Sequence, residues 1–173
     1  YLRIIFNNND NPSFERSISN PTRGVGEKTL AKIRNAAKQY NISYIKASAK
    51  LIDEGKISGR GGSGLKDYLE FIAGCKGFIE ENSLSDLMEL IIKETGLYAY
   101  HAKEAGEKGK TRTENLEELI TATKNFEQSI KDERTNIEIA ESYLDIISLD
   151  SVDRQASEHD DAAQLMTMHS AKG

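Results

Sequence analysis

Apolar residues recur along this chain at helical spacing for most of its length. Leu30, Ile33, Ala37 and Tyr40 mark one helix. Tyr44, Ile45, Ala49 and Ile52 mark the next, which starts at Ser43. Leu65, Tyr68, Leu69, Ile72, Cys75 and Ile79 mark a longer one. Ser83-Leu84-Ser85-Asp86 opens a helix with Leu87, Leu90 and Ile91 inward, and Gly96 stops it. Residues 97–105 form a short helix, and Gly106-Glu107-Lys108-Gly109-Lys110 an exposed loop. Thr111-Arg112-Thr113-Glu114 then fits a capping box for a helix carrying Leu116, Leu119, Ile120, Thr123 and Phe126. A last helix runs through Ile137, Ala140, Leu144 and Ile147, and residues 148–161 read as acidic, polar and mobile.

The two ends break the pattern. Tyr1-Leu2-Arg3-Ile4-Ile5-Phe6 reads as the end of a helix cut from a longer protein. A polar break follows, and Asn11 caps a short helix with Pro12 at its first position. Gln164-Leu165-Met166-Thr167-Met168 reads as a strand, with His169-Ser170-Ala171-Lys172-Gly173 as a sharp polar turn. A lone strand has no partner in an all-α domain. The expected architecture is therefore an all-α domain over residues 1–161 and the start of a second domain over residues 162–173. In this chain that strand is expected to be displaced or mispaired.

The helix at Leu30 is preceded by a Gly-apolar-Gly turn, Arg23-Gly24-Val25-Gly26. Pro21 marks a break before it, and the two glycines permit φ > 0. Such a turn leaves successive backbone N–H groups unpaired, and the helix N-terminus adds partial positive charge behind them. That is an anion site, and the natural anion is a phosphate. Lys28 and Thr29 add donors in the first helical turn. Arg23, Gly24, Val25, Gly26, Lys28 and Thr29 are the candidate contacts to nucleic-acid phosphates. A helix-hairpin-helix turn of this type grips a nucleic-acid backbone without reading bases. An ordinary joint between two helices has the same pattern.

Charge favours the phosphate site. The 173 residues carry a net charge of −5. Residues 20–50, however, hold seven basic side chains against Glu27 alone, a net of +6. Residues 132–161 hold ten acidic side chains against Arg134 and Arg154, a net of −8. The chain is dipolar rather than uniformly acidic.

Other chemistry is sparse. Gly59-Arg60-Gly61-Gly62-Ser63-Gly64 matches a dinucleotide fingerprint in form, but no strand precedes it and no βαβ unit follows. It reads as a flexible linker, although Arg60 can still meet a phosphate. There is no P-loop. His101, His159 and His169 lie far apart, without metal-ligand spacing, so no metal site is expected. Cys75 lies on an apolar helix face and reads as core. No catalytic constellation is visible. The single cysteine excludes an internal disulfide framework and fits a cytoplasmic protein. No stretch approaches the roughly 18 apolar residues of a membrane span, and no signal peptide is recognisable.

Three segments together resemble the UvrD/PcrA/Rep family of superfamily 1 DNA helicases. They are Asn20-Pro21-Thr22-Arg23-Gly24-Val25-Gly26-Glu27-Lys28-Thr29-Leu30, Gly106-Glu107-Lys108-Gly109-Lys110-Thr111-Arg112-Thr113-Glu114-Asn115-Leu116-Glu117-Glu118-Leu119, and Gln164-Leu165-Met166-Thr167-Met168-His169-Ser170-Ala171-Lys172-Gly173. The last is similar to the start of the family's motif V. The resemblance implies the 2B domain, an all-α insertion within the second RecA-like half of the motor. It implies contact with duplex DNA through the Gly-Val-Gly turn and rotation between open and closed positions. Lys108, Lys110 and Arg112 are candidates for a second DNA contact. His169 would lie at the single-stranded DNA track and Lys172 close to the nucleotide. The whole helicase would use ATP and Mg, whereas this fragment would hold no cofactor and lack the ATP site. Residues 59–64 and 130–160 match the family poorly.

Two functions follow. One is a regulatory duplex-DNA-binding domain of an ATP-dependent 3′–5′ DNA helicase, partnered by the rest of the motor. The other is a helical protein–protein interaction module that recruits repair proteins.

Overall fold

The 59–81 stretch forms one continuous helix, and the rest of the domain is arranged around it. The computed structural model describes residues 1–131 and 133–153. Among these, every regular element is helical: α1 (Leu2–Phe6), α2 (Asn11–Ser19), α3 (Glu27–Tyr40), α4 (Tyr44–Asp53), α5 (Gly59–Glu81), α6 (Leu84–Glu94), α7 (Leu97–Ala102), α8 (Glu107–Ser129) and α9 (Asn136–Asp153). The all-α expectation therefore holds for the described residues. The 165–168 strand and the proposed domain boundary lie outside them.

α5 buries Leu65, Tyr68, Ile72, Cys75 and Ile79, a stripe at three- and four-residue spacing. α1, α4, α6 and α9 pack on it, α3 packs on α4, and α8 packs on α6 and α7. Tyr68 sits edge-on to Phe14 of α2, with ring centroids 5.5 Å apart. Burial pushes the Cys75 thiol up to about 11, which suits an inert core residue.

Local chemistry sets the helix starts. Asp10, rather than Asn11, caps α2: its Oδ1 accepts from Ser13 N–H at 2.9 Å. Asn11 instead accepts from Tyr44 N–H at 2.9 Å and joins α2 to the start of α4. Ser83 and Asp86 form a reciprocal capping box on α6. Glu127 of α8 reaches the same helix start and accepts from Leu84 N–H at 2.5 Å.

The structure departs from the sequence reading elsewhere as well. Residues 59–64 are the first turns of α5, not a linker. Residues 107–114 are already helical, so no capping box forms at Thr111; its hydroxyl donates back to Glu107 O at 2.9 Å. α9 continues to Asp153 instead of ending before residue 148. Tyr40 is 40% exposed, with the Lys50 ammonium 4.7 Å from its ring centroid. Ala49 is exposed, because α4 turns Ala47, Ser48 and Leu51 inward.

The early start of α8 rests on Gly109. A Cβ at this position would stand 2.3 Å from Glu104 O and 2.9 Å from His101 O. Gly74, exposed in the middle of α5, would meet nothing within 4 Å. Gly109→Ala is expected to destabilise the domain by about 1–3 kcal/mol through overpacking. Gly74→Ala is expected to stabilise it by about 0.5–1 kcal/mol through backbone entropy. Thermal unfolding of the two variants checks this, and equal midpoints would contradict it.

Arg34 of α3 forks onto Glu15 of α2, with Nε–Oε1 2.6 Å and Nη2–Oε2 2.7 Å. Hydrogen bonding to Arg34 holds the Glu15 carboxyl below its ordinary range. The stability this gives is present above the ordinary glutamate value and is lost as pH falls through the lowered one. Glu15→Gln should therefore lower the unfolding midpoint at neutral pH, and its deficit should vanish in strong acid. A deficit that persists unchanged at low pH would contradict the pairing.

Candidate nucleic-acid interface

The loop of residues 20–26 joins α2 to α3 and exposes Gly24 and Gly26. Gly24 has φ +73°, a conformation L side chains rarely adopt. Gly26 does not share it: its φ of −94° and ψ of 178° are extended, as an N-cap requires. A Cβ on Gly26 would meet nothing within 4 Å.

α3 begins without a side-chain cap. Its first internal bonds are from Thr29 and Leu30 N–H to Gly26 O, at 2.9 and 3.0 Å. The N–H groups of residues 24–28 donate to no acceptor among the described residues. Lys28 is exposed and has no ion-pair partner among them. Thr29 is half-buried and Val25 packs against the core, anchoring the turn between its two glycines. Together these supply what an anion needs: unpaired donors, the positive end of a helix and a nearby ammonium.

Arg60, which the sequence leaves able to meet a phosphate, joins this group beside Gly24. Gly61 and Gly64 let the first turns of α5 lie directly against the loop. A Cβ on Gly64 would stand 2.1 Å from Arg23 O, and one on Gly61 2.9 Å from Gly24 O. The Arg60 side chain consequently runs past Gly24, its Cγ 3.1 Å from where a Cβ there would be. Arg60 is exposed and without an ion-pair partner among the described residues. The available signal was the spacing of the glycines, three residues apart on one helical face.

Arg23 points the other way, as its guanidinium donates to Ser17 O, Pro21 O and Thr95 O beneath the loop. Much of the surrounding positive charge is also engaged. Arg34 pairs with Glu15 and Glu27, and Lys50 and Lys56 share Glu54. Lys32 donates to Lys56 O at 3.0 Å. Lys28, Lys38, Lys46 and Arg60 are left exposed without ion pairs among the described residues.

The second candidate segment lies at the start of α8. Arg112 pairs with Glu104, which also holds His101 Nδ1 at 2.8 Å. Hydrogen bonds from His101 and then Arg112 keep the Glu104 carboxyl below its ordinary range. Lys110 stands 3.7 Å from Glu114, and Lys108 is exposed. Arg112 thus braces α8 against the end of α7, and Lys108 is the more available cation. His169 and Lys172 lie outside the described residues. Among those described, no three His, Cys, Asp or Glu side chains gather as a metal site. None of their helices is long and apolar enough to cross a membrane.

Comparison with known proteins gives the family of the chain. The family description "UvrD-like helicase C-terminal domain" matches residues 66–173. The chain is 38% identical over its full length to DNA helicase II of Escherichia coli K12, covering 24% of that protein. It is 31% identical to ATP-dependent DNA helicase PcrA of Bacillus subtilis 168 and 30% identical to that of Leuconostoc citreum, again over all of this chain and 23% of each relative. It therefore spans about a quarter of the length of these relatives. With more than half of its residues inside the matched region, the chain belongs to the UvrD-like helicase C-terminal domain family.

Proposed function

We propose that this chain is the duplex-DNA-binding regulatory domain of an ATP-dependent 3′–5′ DNA helicase acting in DNA repair and replication. The observation that carries the reading is the uncapped start of α3. There, exposed Gly24 and Gly26 and the free N–H groups of residues 24–28 stand beside Lys28 and Arg60. A phosphate oxygen would accept from the backbone donors, with Thr29 and the two cations around it. Such a helix-hairpin-helix-like turn holds the duplex by its backbone, so affinity should not depend on base sequence. Lys108 would add a weaker contact from α8.

The relatives are named as DNA helicases and, for two of them, as ATP-dependent. Within a whole motor, residues 162–173 would be the returning segment of the RecA-like domain. His169 would face single-stranded DNA there, and Lys172 the nucleotide with its Mg. Rotation of the helical domain would then move the duplex relative to the motor. The engagement of Arg34, Lys50, Lys56 and Arg112 by acidic neighbours supports the other reading, a module that recruits repair proteins.

Duplex affinity measured across salt concentrations separates the two. Lys28→Ala and Arg60→Ala should each remove about one phosphate contact and lower the salt slope by roughly one unit. A Cβ at residue 26 would meet nothing within 4 Å, so Gly26→Val should keep the fold and weaken binding by covering the donors. Parent-like affinity in all three folded variants would favour the interaction module. With no P-loop in its sequence, the chain alone should show no DNA-stimulated ATP hydrolysis. Turnover above a mock preparation would contradict that.

A further inference from the structure

The underside of the loop rests on one polar and aromatic cluster. Arg23 Nη1 donates to Ser17 O at 2.9 Å and to Pro21 O at 2.8 Å, and Nη2 donates to Thr95 O at 3.3 Å. Its guanidinium carbon lies 5.6 Å from the Tyr1 ring centroid and 5.5 Å from that of Tyr68. Tyr1 donates to Ser17 O at 2.7 Å and to Asn20 O at 3.1 Å. The hydroxyls of Ser17 and Tyr68 are 2.6 Å apart.

The acceptors come from separate parts of the fold. Ser17 lies in the last turn of α2, Pro21 in the loop itself, and Thr95 is the C-cap residue of α6. Carbonyls at helix C-termini lack helical partners and attract cations. One planar cation therefore ties the loop to two helix ends while lying near two rings. A guanidinium does this with fixed divergent donors. An ammonium, a single compact charge, cannot span the same three carbonyls.

We propose that Arg23 is a positioning residue for the phosphate-binding turn and does not contact phosphate itself. It fixes the loop from beneath, so that Gly24 and Gly26 present their N–H groups in one arrangement. This rests on the reading of the turn as a phosphate site. It also removes Arg23 from the set of direct contacts that sequence alone suggests.

Arg23→Lys, which keeps the charge, tests the assignment, with Lys28→Ala and Gly26→Val as comparisons. Two quantities are measured on the full chain: duplex affinity at several salt concentrations, and NMR order parameters of the amides of residues 24–28. Arg23→Lys should bind about tenfold more weakly, as for loss of a charge-assisted hydrogen-bonded anchor. Its salt slope should be unchanged, and the order parameters of residues 24–28 should fall. Lys28→Ala should lower the slope and leave the order parameters alone. If Arg23→Lys matches the parent in affinity and order parameters, and Arg23→Ala only loses one unit of slope, Arg23 is a phosphate contact and the proposal is overturned. If Lys28→Ala and Gly26→Val bind like the parent, the turn is not the DNA site, and the order parameters alone then decide. Lower order parameters in Arg23→Lys support the positioning role, and unchanged ones overturn it.

Discussion

α5 can reach the loop before α3 only because positions 61 and 64 carry no side chain. A single methyl at residue 64 would stand 2.1 Å from Arg23 O, well inside contact distance. This approach sets the height of the loop and brings Arg60 alongside Gly24. The Arg23 guanidinium lies beneath the loop, between two helix ends and two tyrosine rings. Glycine in a helix costs about 1 kcal/mol relative to alanine. Close packing of helix on loop offsets that cost. Both the outward donors and the inward anchor of the candidate interface follow from this one contact.

Much of the fold was legible in the sequence because helical periodicity is a strong signal over long segments. The inward faces of α5 and α6 were visible in Leu65, Tyr68, Ile72, Leu87 and Ile91, all buried. The failures have local causes. Six residues with four glycines look like a linker by composition, yet tertiary contact overrides propensity where a helix must come close to another backbone. Thr111 and Glu114 have the spacing of a capping box, but Gly109 lets the helix start earlier against the end of α7. Tyr40 falls on the apolar period of α3 but is 40% exposed beside Lys50.

The candidate site was legible in part. The Gly-Val-Gly turn, Lys28 and Thr29 stand together at the start of α3, as their spacing implies. The orientation of Arg23 was not legible, because its partners Ser17 and Thr95 are 6 and 72 residues away in sequence. Charge counting also misled: of the seven basic side chains in residues 20–50, Arg34 pairs with Glu15 and Glu27, Lys50 pairs with Glu54, and Arg23 and Lys32 donate to backbone carbonyls. What is left for a ligand is a small set of exposed cations around one uncapped helix. That suits a site that holds a backbone by position more than by total charge.

The central claim is that duplex DNA meets this domain at the start of α3. Titrating the isotopically labelled chain with two duplexes of unrelated sequence, and following each backbone amide by NMR, tests it most directly. The expected result is that the largest shift changes fall on residues 24–28 and 60–61, are the same for both duplexes, and fade together as salt is raised. Changes centred elsewhere, with the amides of residues 24–28 unmoved at saturating duplex, would contradict the account.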